Sequence, residues 1–325
     1  MEKEVKTIIK LIDAHREKAH RIINEELVSL YFEIGKYLSA RIKSEKWGSK
    51  IITNIANNIK TIYPGIKGFD RSSLYLMTQF YEMYSGNEIV GPLVRQISWS
   101  NNVVILKRTK TIEEKEFYLK LCISNNYTKR ELIRQIDSGY YQRFLLSKQD
   151  FTLKVENTKT NFLLDYYSLE FLNLPNPYSE KDLRKAIVDN LKDFILEIGG
   201  CFTFIGEEYR VQVGNHDYFI DLLFYNRMYS CLVAFELKLG EFEPEYLSKM
   251  NFYLEALDRQ EKRENENPSI GIILCSSKDE VVVEYSLARN NSPSLVATYE
   301  TKLIDKKLLE EKITQLRKTL ECENE

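Results

Sequence analysis

A chain of 325 residues that is 43% hydrophobic and 29% charged has the balance of a soluble globular protein and the length for two domains with separate cores. No apolar run approaches the roughly 20 residues of a membrane span, and the start, MEKEVKTIIKLIDAHREKAH, is charged throughout, so a cytoplasmic location is expected. The net charge of -2 is unevenly divided: residues 1–150 hold 25 Lys+Arg against 17 Asp+Glu and the remainder 21 against 31, which makes the front half the better candidate for touching nucleic acid.

Residues 1–144 read as helical almost without interruption. Ile8, Ile9, Leu11 and Ile12, then Ile22, Ile23, Leu27, Leu30, Tyr31, Ile34 and Leu38, recur at helical spacing. A core face and the seam of a homodimer built from long helices would show the same pattern. A helix from Trp47 to Ile62 is stopped by Pro64-Gly65, and Asp70 is placed to cap a second helix through Arg71, Leu74, Met77, Phe80 and Tyr81. Two short helices joined by a tight glycine-containing turn are the layout of a helix-turn-helix, whose second helix would present Arg71, Ser72, Ser73, Tyr75 and Gln79 outward. An ordinary helical hairpin has the same pattern.

Next, the stretch from Leu93 to Ser100 interleaves Arg95, Gln96 and Trp99, residue types that contact bases and also tie loops together. Helices over Glu113–Ser124 and Thr128–Gly139 follow, the second with Thr128 as N-cap. Residues 145–178 read as a connecting segment, although Phe162 to Tyr167 and Phe171-Leu172 are apolar enough to dock on a domain. From residue 179 onward a helix capped by Ser179 is followed by strands near 201–205 and 209–213, a central strand pair and a helix over Pro244–Leu257. A strand at Ile270–Leu274, a helix near Glu280–Leu287, a strand at Leu295–Tyr299 and a last helix over Lys306–Leu320 complete an α/β arrangement, a mixed sheet flanked by helices.

The chemistry is sought in the central pair, YFIDLLFYNRMYSCLVAFELK, running from Tyr218 to Lys238. Five cysteines form no C-x-x-C and three histidines are scattered, which argues against disulfides, zinc and a Ser-His-Asp triad. Carboxylates and lysine remain. Asp221, Glu236 and Lys238 interrupt apolar strands, where an ionised group costs several kcal/mol unless compensated. With an even loop between the strands, Asp221 faces residue 232 or 234 and shares a face with Glu236 and Lys238. Two carboxylates with an ammonium beside them suit a hard divalent cation, Mg2+ first and Mn2+ as a substitute, held by Asp221 and Glu236. A buried Asp-Lys pair with Glu236 at the surface is the alternative, and Glu236 on the face opposite Asp221, or a remote arginine paired with Asp221, would sink the site. Lys249 and Tyr253, four apart on one helix face, would add phosphate contacts or simply pack.

Asp on one strand, E-x-K on the next and then a helix resembles the PD-(D/E)xK nuclease superfamily. The strings GFDRSSLYLMTQFYEMY, LVRQISWS, EFYLKL, FIDLLFYNR, VAFELKLGEFEPEY, KMNFYLEALD and GIILC resemble a bacterial YhcG-like family over nearly the whole chain. That resemblance implies a metal-dependent nuclease with a helical DNA-binding domain over 1–144 and a restriction-endonuclease-like domain over 179–325. It implies catalytic roles for Asp221, Glu236 and Lys238, with Lys238 beside the attacking water. DNA is favoured over RNA as partner, with Arg71, Arg95, Gln96, Trp99, Lys249 and Tyr253 as contacts. The chain departs from the pattern at three places: Ile220 stands for the first-strand proline, Arg184 for an acid on the first helix, leaving Glu180 as a substitute, and Lys249 for a glutamine. A catalytically inert nucleic-acid-binding protein on the same fold is the alternative.

Overall fold

The computed structural model describes residues 2–45, 49–87, 89–150, 163–290, 292–303 and 306–323, so the expected helix start at Trp47 lies outside the described residues. Two compact units divide at 136/137.

In the first unit, α1 (Glu2–Glu45) is followed by α2 (Ser49–Ile62) and α3 (Arg71–Tyr84). Tyr31 and Leu38 of α1 pack with Ile52 and Ala56 of α2 and with Leu74 and Met77 of α3. Gly35 is what lets α1 come so close to α3, because a Cβ there would lie 2.1 Å from the Met77 carbonyl oxygen. Asp70 caps α3 by accepting from the Ser73 amide. The connection between α2 and α3 spans residues 63–70, longer than the three or four residues of a helix-turn-helix turn, so the expected tight turn is absent there. The short α4 (Val90–Val94) and α5 (Trp99–Arg108) precede α6 (Ile112–Asn125) and α7 (Lys129–Asp137). Along α1, Val5, Ile8, Ile9, Leu11 and Ile12 are exposed.

The second unit opens with α8 (Tyr140–Asp150), which the sequence places mostly with the front domain. Burial of Arg143 accounts for the difference. Its guanidinium donates to Glu197 Oε1 at 2.5 Å, to the Tyr166 and Ser138 carbonyls at 3.1 Å each, and to Ser138 Oγ at 3.0 Å. Part of the expected connecting segment is a sheet strand, β1 (Tyr166–Ser168). Then come α9 (Glu180–Asp189) and α10 (Leu191–Ile198), in place of one continuous helix, β2 (Phe202–Val213), β3 (His216–Asn226), β4 (Cys231–Leu237), α11 (Glu245–Gln260), β5 (Ile270–Cys275), α12 (Glu280–Leu287), β6 (Ser294–Glu300) and α13 (Lys306–Glu323).

The strands form one mixed sheet in the order β1-β6-β5-β4-β3-β2, with β2, β3 and β4 antiparallel and β4, β5, β6 and β1 parallel. β2 is a single strand with a register shift between Phe204 and Gly206, where the sequence suggests two. Phe194 of α10 packs against Phe224 and Phe235, with ring centroids 5.8 and 5.7 Å apart. Met250, Leu254 and Leu257 of α11 pack with Ala234 and Ile273. Gly271 permits this approach, since a Cβ would fall 2.4 Å from Met250 Cγ, and the close seat of α11 brings the preceding residue, Lys249, to the sheet.

Candidate active site

β3 and β4 pair from Asn226↔Cys231 to Leu222↔Phe235, and continuing that register by one residue sets Asp221 across from Glu236. The loop is even, as the parity argument requires, but the partner of Asp221 is 236 and not 232 or 234. On the other side of β3, Glu207↔Leu222 and Tyr209↔Ile220 bracket Glu208 opposite Asp221. Three acids from three adjacent strands therefore form a lateral row. Opposite positions in a ladder share a face and stand about 5 Å apart.

Each carboxylate meets cations. Glu236, only 1% exposed, accepts through Oε1 from Lys249 Nζ at 2.6 Å and lies 3.1 Å from Lys238 Nζ. Its other oxygen, Oε2, is buried and has no hydrogen-bond partner among the described residues. Asp221 Oδ2 accepts from the Leu237 amide at 2.9 Å, and its Oδ1 accepts from Arg184 Nη1 at 2.9 Å. Arg184 Nη2 donates to Glu208 Oε1 at 2.7 Å, so one guanidinium spans two of the three acids. Lys238 also reaches Glu180 Oε2 at 3.3 Å and lies 5.3 Å from the centre of the Tyr246 ring.

These contacts set the charge of the lysines in the site. Burial works against the ammonium of Lys238, but Glu236 and Glu180 outweigh it and hold its pKa above the ordinary lysine range, so it is raised and not depressed. Lys249 is shifted the same way, burial again being outweighed by Glu236. For the Tyr253 hydroxyl, burial pushes the pKa up; Lys249 opposes this, while the charges of Glu236 and Asp221 add to it. Both carboxylates thus act on the same ring of α11.

The ion pair of Asp221 with Arg184, 37 residues apart, is the pairing expected to sink the metal site as the sequence frames it. Among the described residues no group of three or more His, Cys, Asp or Glu is arranged to hold a metal ion. The donor set nevertheless fits a hard divalent cation. A buried carboxylate oxygen without a donor is costly, and two acids on facing positions supply the oxygen ligands such an ion takes.

The expected nucleic-acid contacts separate into two groups. Arg71 is exposed at the start of α3, where Ser72, Tyr75, Leu76, Gln79 and Lys107 of α5 line a shallow concavity of about 370 Å³ with it. Arg95 and Gln96 are also exposed, in a loop whose carbonyls at 95 and 97 accept from Asn24. Trp99 and Tyr253 turn inward. Trp99 stacks edge-on against Tyr31 and Phe80 at 4.7 and 5.1 Å, and Tyr253 is buried with its hydroxyl donating to the Phe219 carbonyl at 2.7 Å. Lys249 is half exposed, yet its ammonium is engaged by Glu236. Sequence reading missed Glu208. Glu208 carries no local signal, because its place opposite Asp221 depends on the register shift upstream in β2.

Residues 160–316 match the family described as the YhcG PDDEXK nuclease domain, and residues 7–143 match the DUF1016 N-terminal domain. The curated Escherichia coli (strain K12) protein "Putative nuclease YhcG" is 27% identical over 97% of this chain and 94% of its own length. A solved structure, of a repair endonuclease from Pyrococcus abyssi, covers 40% of this chain and 50% of that one at 17% identity with a TM-score of 0.27, a similarity too low to carry weight. No helix among the described residues is long and apolar enough to cross a membrane.

Proposed function

Because the chain belongs to the YhcG-like nuclease family, joining a DUF1016 N-terminal domain to a PDDEXK nuclease domain, we propose that it hydrolyses phosphodiester bonds of DNA with a divalent cation, Mg2+ by preference. The observation that carries this reading is the buried Oε2 of Glu236, without a hydrogen-bond partner among the described residues, beside the facing carboxylate of Asp221. Asp221 and Glu236 are the ligands. Bound there, the cation supplies Lewis-acid stabilisation of the charge that builds on a phosphate oxygen and a lower pKa for coordinated water.

The remaining work falls to this chain's own groups. Lys238 is held as an ammonium, so it donates hydrogen bonds to a phosphate oxygen or to the attacking water and does not take that water's proton. The Leu237 amide orients Asp221. Lys249 neutralises Glu236 until substrate and cation enter. In the front unit, Arg71 and Lys107 at the shallow concavity offer two cations to a phosphate backbone, with Tyr75 and Gln79 between them. The exposed row from Val5 to Ile12 on α1 is the face through which two copies would pair.

A second reading, a nucleic-acid-binding protein without catalysis, is favoured by one contact: the guanidinium of Arg184 on Asp221. One assay separates the two. Purified protein is incubated with duplex, branched and single-stranded DNA and with RNA, in Mg2+ and in Mn2+, beside Asp221→Asn. Cleavage by the wild type that the variant loses supports the nuclease. Binding without cleavage on every substrate supports the second reading, and cleavage unchanged in Asp221→Asn would take Asp221 out of the site.

A further inference from the structure

Four carboxylates and three cations make up the cluster: Glu180, Glu208, Asp221 and Glu236 against Arg184, Lys238 and Lys249. The formal charge is therefore -1. One divalent cation brings it to +1, which a phosphodiester monoanion neutralises. A second divalent cation would leave the loaded site at +2 in a partly buried setting, where uncompensated charge costs several kcal/mol.

Arg184 is what sets this count. It is fixed from both sides, at 2.9 Å on Asp221 and 2.7 Å on Glu208, and its side chain is 13% exposed. Glu208 holds a left-handed backbone, with φ of 45°, that a glutamate rarely adopts. That backbone and the register shift in β2 bring its carboxylate to the far side of the guanidinium from Asp221.

We infer that Arg184, tethered by Glu208, is a positioning residue that stands in place of a second divalent cation, so that the site takes one metal ion per chain. This rests on the reading of Asp221 and Glu236 as ligands. When the ion claims Asp221, Glu208 keeps the guanidinium in the site as a monovalent charge.

The test is Mn2+ stoichiometry on the full-length protein, read from the loss of the free-ion electron paramagnetic resonance signal, which needs no turnover. The wild type should bind one Mn2+ that Glu236→Gln loses, and Arg184→Glu should bind two. Glu208→Gln, which leaves the guanidinium to Asp221 alone, should bind one ion about 3- to 10-fold more weakly. Should Arg184→Glu fail to fold, Arg184→Gln replaces it, with Mn2+ binding about tenfold tighter because a competing cation is gone. Two ions in the wild type, both lost in Glu236→Gln, would overturn the inference and leave the ligand assignment standing. So would a single ion in folded Arg184→Glu, unaltered affinity in Glu208→Gln, or unaltered or weaker affinity in Arg184→Gln. No bound Mn2+ in the wild type would remove both the inference and the ligand assignment.

Discussion

Replacing Arg143 with methionine tests how the second unit is held together. The arginine and Glu197 are both fully buried, and Glu197 Oε1 accepts from Arg143 and, at 2.8 Å, from the amide of Ser168, the last residue of the edge strand β1. Arg143→Met keeps most of the aliphatic stem but removes the cation, leaving a carboxylate inside the unit with its charge uncompensated. Breaking such a pair from one side costs about 3–5 kcal/mol. For a unit of this size each kcal/mol moves the transition by about 2–4 °C, so a fall of about 6–20 °C is expected. The assay is calorimetry on the full chain, in which the transition of residues 137–325 should drop while that of residues 1–136 stays, because the two units need not unfold together. Arg143→Met with Glu197→Leu removes both charges and should recover most of the loss. A fall below about 2 °C in the single variant, or no recovery in the double one, would refute the reasoning.

Two further outcomes follow from the candidate sites. In metal-free protein the Lys238 ammonium should remain charged through neutral pH; its raised pKa contributes stability that is complete below the ordinary lysine value of 10.5 and is lost only as pH rises beyond it. Nuclear magnetic resonance of 13C-labelled lysines, assigned with Lys238→Arg, checks this, and titration near pH 7–8 would contradict it. Arg71→Ala and Lys107→Ala should each weaken DNA binding and lower the slope of log affinity against log salt by about 1; a slope equal to the wild type's in both variants would take the concavity on α3 out of the nucleic-acid interface.

Much of this architecture was legible in the residues. The unbroken apolar runs on either side of Asn226-Arg227 mark β3 and β4, and an even loop between them is enough to put Asp221 and Glu236 on one face, because side chains alternate with period two, while the register that sets them directly opposite is not local. Caps are equally local: Asp70 and Ser179 each accept from an amide three residues on, as their side-chain types suggest. What escaped was non-local. A three-residue strand such as β1 is too short for a periodic signal, and its role comes from pairing with β6, more than a hundred residues away. The buried use of Arg143 depends on α10, and the contact of Arg184 with Asp221 depends on how α9 meets the sheet. Trp99 and Tyr253 looked available because an aromatic among polar residues reads the same whether it stacks on a base or, as here, on Tyr31 or against the sheet.

Glu236→Gln is the substitution on which metal-dependent cleavage turns, since it keeps the shape of the side chain and removes the charge that a metal ion needs. The measurement is the single-turnover rate of phosphodiester hydrolysis on the best substrate across a Mg2+ titration, with DNA affinity measured in parallel. The wild type should cleave, chelation of the metal should abolish cleavage, and Glu236→Gln should be slower by about 10²–10³-fold or more while its DNA affinity stays within about twofold. Cleavage that survives chelation, or a variant as fast as the wild type at every Mg2+ concentration, would contradict it.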